Sequence, residues 1–146
     1  MLSLGGNDVT AFADSCKGSV TCIRAQAPSA IAAFTVRLAS ILKALRAAAP
    51  DAEIIVTGTW DDDIADLADT NPLYRALDAA IAKAAGGARA HFADTLPVFN
   101  PPGTIAHEHS RICAYTFTCS RNDGHPTNTG YRAIADGILA ASGYRH

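Results

Sequence analysis

Apolar positions recur at steps of three and four from Ile31 through Phe34, Leu38, Ile41, Leu42 and Leu45, the spacing of one helix face. Pro28 and Ser29 stand at the predicted start of this helix, and Pro50-Asp51 ends it. A continuous apolar run, Glu53-Ile54-Ile55-Val56-Thr57-Gly58, follows and predicts a strand buried on both faces. A second helix is predicted from a cap at Thr70 or Asn71, with Pro72 in its first turn. Leu73, Leu77, Ile81 and Ala84 line its inner face, and Gly86-Gly87 stops it. Ala88 to Phe92 reads as another short strand, and a last helix after Pro126 carries Tyr131, Ile134, Ala135, Ile138 and Leu139 on one face.

Between these elements the pattern lapses. Residues 1–4 read as a strand, 5–27 as a long loop, 59–70 as a loop with Trp60 and Asp61-Asp62-Asp63, and about 97 to 125 as an irregular stretch. Alternating strand and helix predict an α/β fold with a parallel sheet. A short apolar run reaching Gly5-Gly6 at once resembles the end of a strand inside a domain, so further sequence is expected in front of Met1.

Composition narrows the classes. The 146 residues fit one domain able to bury roughly two thirds of the surface its unfolded chain exposes. Apolar residues make up 49%, but 30 residues are alanine, so the core is lighter than that figure implies. Twelve basic and 14 acidic side chains, net charge −2, leave no basic patch for a nucleic acid. No apolar run approaches the ~18 residues of a membrane span.

Cys16 and Cys22 stand six apart, as do Cys113 and Cys119. Neither spacing is that of a C-x-x-C redox or zinc motif. Of three possible pairings, the local one, Cys16–Cys22 with Cys113–Cys119, closes two small loops, and disulfides imply a secreted or extracytoplasmic protein. His107, His109, Cys113, Cys119 and His125 are spaced too irregularly for a zinc site, and the acidic triplet lacks a calcium-loop pattern and reads as solvated.

Open parallel sheets place their sites beyond the carboxyl ends of the strands. There the chain carries Gly5-Gly6-Asn7-Asp8, then Trp60 to Asp63, and finally Asn122-Asp123-Gly124-His125-Pro126. An Asn amide can donate to a developing oxyanion, and an imidazole held by a carboxylate can serve as general base. Asp8 is expected to brace the glycine turn, and Trp60 either lines a substrate pocket or packs on its loop.

These residues resemble the SGNH, or GDSL, hydrolases. Leu2-Ser3-Leu4-Gly5-Gly6-Asn7-Asp8 is similar to that family's Gly-x-Asn-Asp block. Asp123-Gly124-His125-Pro126-Thr127-Asn128-Thr129-Gly130-Tyr131 is similar to its Asp-His-Pro block before the last helix, and the Cys113-to-Cys119 loop resembles its secreted esterases and lipases. The likeness runs from residue 1 to about 143. It implies a three-layer α/β/α sandwich of flavodoxin-like strand order 2-1-3-4-5, of which this chain holds the third to fifth strands. It also implies hydrolysis of small-molecule or lipid carboxylic esters through an acyl-enzyme, with His125 as base, Asp123 as its acid and Asn7 in the oxyanion hole, and no metal or organic cofactor. The family's acid commonly stands three residues before the histidine, where this chain has Asn122; a backbone carbonyl orients the imidazole in some members. The Gly-Asp-Ser block that holds the nucleophile belongs upstream of Gly-x-Asn-Asp. The chain therefore reads as the C-terminal portion of such a hydrolase, prone to self-association through an exposed edge strand. The competing reading is a non-catalytic remnant that binds a ligand, glycan or partner.

Overall fold

The computed structural model describes residues 1–3 and 5–143; Leu4, assigned above to the first strand, lies outside the described residues. The chain runs β1 (Leu2–Ser3), α1 (Gly6–Ser15), α2 (Val20–Ala48), β2 (Ile55–Thr57), α3 (Leu67–Gly87), β3 (His91–Ala93), α4 (Leu96–Phe99), α5 (Ile105–Tyr115), β4 (Thr116–Phe117), α6 (Thr118–Arg121), β5 (Asp123–Pro126) and α7 (Asn128–Ala141). β1, β2 and β3 form a parallel sheet in that order, with Leu2, Val56 and Phe92 in register across it. β4 and β5 pair as a small antiparallel ribbon. The fold is α/β, as the alternation predicted.

Side chains alternate across a strand, so the row Leu2–Val56–Phe92 shares one face. That face meets Phe34, Leu38 and Leu42 of α2 and Leu77, Ile81, Ala84 and Ala85 of α3, which form the main core. α7 lies against β2 and β3. α2 is long and apolar enough, by length and composition, to cross a membrane. Its buried Phe34, Leu38 and Leu42 nevertheless pack on the sheet, which is what a core helix does.

The stretch 5–27 is helical where a loop was expected. α1 buries no residue fully, and only Val9, Phe12 and Ala13 make a narrow half-buried stripe, too weak a period to read. α2 starts at Ser19, whose Oγ accepts the Cys22 N–H at 3.4 Å, rather than at Pro28. Pro28 sits exposed inside the helix, where its ring nitrogen has no hydrogen to donate to the Arg24 carbonyl. Similarly, α3 begins one turn earlier than predicted, with Asp66 before it. Thr70 and Asn71, the predicted caps, are buried and bond to other segments. The region from 97 to 125 holds α4, α5 and α6. α5 escaped the periodicity because its buried positions are Ile112 and the charged Glu108.

Gly5 makes the sharp exit from β1. Its φ is +114°, and a Cβ there would meet the Phe34 ring at 3.4 Å. Among the described residues Asp8, expected to brace this turn, instead pairs its carboxylate with Arg37 at 3.1 Å and ties α1 to α2.

Candidate active site

A cleft of about 600 Å³ opens at the carboxyl end of the sheet. Its walls are the Gly6 and Thr10 turn of α1, the segment after β2 from Gly58 to Trp60 with Asp62, and the segment Asn122–Pro126. The three loops that the sequence placed along one sheet edge thus come together.

Asn122 ends α6 in a left-handed conformation, φ 53° and ψ 44°, which asparagine tolerates well. The chain then turns so that Asp123 Oδ1 accepts the backbone N–H of His125 at 3.0 Å and lies 2.5 Å from its ring Nδ1. The His125 backbone N–H, and then its side chain, hold the Asp123 carboxyl below its usual range. A carboxylate on Nδ1 fixes the proton there and leaves Nε2 as the ring nitrogen free to accept another. The His125 side chain is 79% exposed, so it is accessible from the cleft.

Packing holds this turn in place. The Trp60 indole N–H donates to the Gly124 carbonyl at 3.3 Å, and its ring stacks on buried Phe99 with centroids 4.5 Å apart. Phe99 meets Tyr115 edge-on at 5.7 Å. Trp60 therefore lines this cleft and packs on Phe99. Asp62 lies against Gly124 so closely that a Cβ there would fall 1.8 Å from Asp62 Oδ2, so a larger residue between Asp123 and His125 requires the Asp62 side chain to move. Burial raises the Asp62 pKa, and the negative charges of Asp63 and Asp123 add to it.

Sequence reasoning missed the buried polar frame beneath. The triplet is not uniformly solvated: Asp61 is fully buried, Asp62 half-buried and Asp63 exposed. Asp61 accepts the Thr70 hydroxyl at 2.6 Å and the Asp63 N–H at 3.1 Å, while its backbone exchanges two 2.9 Å bonds with the Asn100 amide. Asp78 accepts the Thr59 N–H at 3.0 Å, and its other oxygen is buried with no partner among the described residues. Desolvation raises both carboxyls to about 7. An acidic run directly after a buried strand was the available signal.

Asn7 is exposed in the first turn of α1, between Gly6 and Thr10, and is not itself among the cleft's lining residues. Ser3 is the serine among those lining residues. Both cysteine pairs are bridged locally: Cys16–Cys22 joins α1 to α2, and Cys113–Cys119 joins α5 to α6. His109 Nδ1 lies 3.6 Å from Cys113 Sγ, a sulfur already bonded to Cys119.

The family model described as GDSL-like Lipase/Acylhydrolase matches residues 1–133. No curated protein and no solved structure matches the chain.

Proposed function

The chain belongs to the GDSL-like lipase/acylhydrolase family, and from that membership we propose that it supplies the base and the oxyanion donor of a carboxylic-ester hydrolase. The observation that carries this reading is the 2.5 Å contact between Asp123 and His125 Nδ1 in a cleft formed by three strand-end loops. His125 Nε2 takes the proton of a serine hydroxyl as the serine oxygen attacks the ester carbonyl. Asp123 orients the ring and stabilises the imidazolium. Asn7 donates to the tetrahedral oxygen after its side chain swings to the cleft from the adjoining turn. The imidazolium then returns its proton to the leaving alcohol, and water releases the acyl group by the same path in reverse.

The serine is assigned to a Gly-Asp-Ser segment outside these 146 residues, packed beyond β1 in a three-layer α/β/α sandwich. α2 and α3 on one face of the sheet and the approach of α7 to β2 and β3 support that arrangement. Among the described residues the outer edge of β1, with Met1 and Ser3 exposed, has no partner strand, which supports pairing with a second copy. The two disulfides support a secreted or extracytoplasmic setting.

A second reading rests on Ser3, which lines the same cleft as His125 and would make the chain competent alone. A fluorophosphonate probe separates the two. The first reading expects no labelling of the 146-residue chain, labelling once a Gly-Asp-Ser segment is joined in front, and loss of that labelling and of ester hydrolysis by several orders of magnitude in His125→Ala. Labelling of the chain alone that Ser3→Ala removes supports the second. Retained hydrolysis in His125→Ala refutes both.

A further inference from the structure

The two disulfides close loops of equal length but sit in unlike surroundings. Cys16 is buried, Cys22 is half-buried, and the group beside Cys22 Sγ is the neutral Gln26 amide at 3.2 Å. In the other bridge Cys119 is exposed, and the half-buried Cys113 has an ionisable neighbour, His109 Nδ1, at 3.6 Å. His109 is itself exposed, one turn earlier on α5. A thiolate attacks the more accessible sulfur of a disulfide, and exchange is faster when the sulfur that leaves is stabilised as an anion. Access and charge here point the same way: Cys119 receives the attack, and Cys113 leaves beside an imidazole. This bridge also lies at the root of the His125 turn. Cys113 is in the last turn of α5 and Cys119 in α6, and between them β4 pairs Phe117 with Asp123 and Thr116 with Pro126. Asn122, the residue before Asp123, is held by its N–H to the Thr118 carbonyl at 2.9 Å, inside the bridged loop.

We propose that Cys119 is a site of thiol–disulfide exchange, taking a small-molecule thiol as a mixed disulfide, and that this opening loosens the Asp123–His125 turn. The incoming thiolate forms an S–S bond with Cys119 Sγ as the Cys113–Cys119 bond breaks, and the electron pair of that bond passes to Cys113 Sγ. A proton on His109 Nδ1 transfers to the Cys113 thiolate. One disulfide replaces another, so no net oxidation or reduction takes place, and expulsion of the thiol by Cys113 restores the bridge. The turn is still held afterwards by the Thr127 N–H on the Tyr115 carbonyl and by Trp60 on Gly124, so the segment from 118 to 122 is the part set free. The proposal rests on the bridge and the turn alone, and it stands whether or not the chain hydrolyses esters.

The test incubates the folded 146-residue chain with a large excess of glutathione, quenches it in acid, alkylates it with N-ethylmaleimide and maps it by peptide mass. Glutathione on Cys119, maleimide on Cys113 and an intact Cys16–Cys22 bridge are expected. His109→Gln, a change at an exposed position, is expected to slow the opening about tenfold, since Cys113 then leaves without the imidazole. The Cys16–Cys22 bridge of the same molecules reports unfolding, which would open both. Glutathione on Cys113, both bridges opening at the same rate, or an unslowed His109→Gln variant overturns the exchange site. Amide hydrogen exchange then reads the turn. In the glutathione-bearing chain the Asn122 and His125 N–H groups are expected to exchange at least about tenfold faster than in the bridged chain. Unchanged rates at both overturn the coupling to the His125 turn.

Discussion

Asp123 and the pair Asp61 and Asp78 are carboxylates of the same small region, and their surroundings push them in opposite directions. Asp123 is 42% exposed at the side chain, and its charge is stabilised by the His125 backbone N–H and ring. Asp61 and Asp78 receive hydrogen bonds of equal quality, yet burial outweighs them and raises both to about 7. A hydrogen bond favours the ionised form only modestly when the charge has also been taken out of water. An exposed carboxylate can therefore serve as a permanently charged partner for an imidazole, while a buried one acts as a polar strut. Solvent access thus separates the aspartate at the cleft from the two buried behind its loops.

The sharpest way to break this division is Asp123→Asn in the chain joined to a Gly-Asp-Ser segment. Activity is expected to fall by up to about 10⁴-fold, since the amide no longer fixes the ring tautomer, with the melting temperature unmoved. Loss of stability instead of activity would show that Asp123 is a strut like the others. Asp61→Ala is expected to do the opposite. It removes the acceptor of the half-buried Asp63 N–H and leaves the Thr70 hydroxyl only the Asp66 carbonyl, a loss of about 1–3 kcal/mol by denaturant unfolding. An unchanged midpoint would show that the frame does not depend on that carboxylate.

The smallest effect concerns pH. A buried carboxyl raised to about 7 still holds its proton where the unfolded chain has already released it. The native state then binds more protons than the unfolded one, so stability is expected to fall as pH rises from about 4 to about 7. Asp78→Asn keeps the acceptor for the Thr59 N–H and removes the titration. It is expected to flatten that decline by about 1–2 kcal/mol, measured by unfolding at both ends of the window. An unaltered slope would mean that Asp78 titrates as an ordinary carboxylate.

The local features were the legible ones. Asp123 and His125 are two residues apart, each cysteine pair is six apart, and the α2, α3 and α7 stripes repeat at helical spacing. Such relations hold wherever the segment lies in the fold, because the backbone within a few residues already determines them. Elements whose burial is polar or slight escaped. α1 has too few apolar contacts to show a period, α5 buries Glu108, and Thr70 and Asn71 have the chemistry of caps but bond instead to Asp61 and Glu108.

Nothing local separates Asp61 from Asp63, yet one is buried and the other exposed. Sequence alone determined the α/β alternation, the local disulfides and the Asp–His pair, since each depends on neighbours along the chain. Only the tertiary structure decided which aspartates lost water and that Trp60 would hold Gly124. Desolvation is set by whatever packs from elsewhere in the chain, and no stretch of residues carries that information by itself.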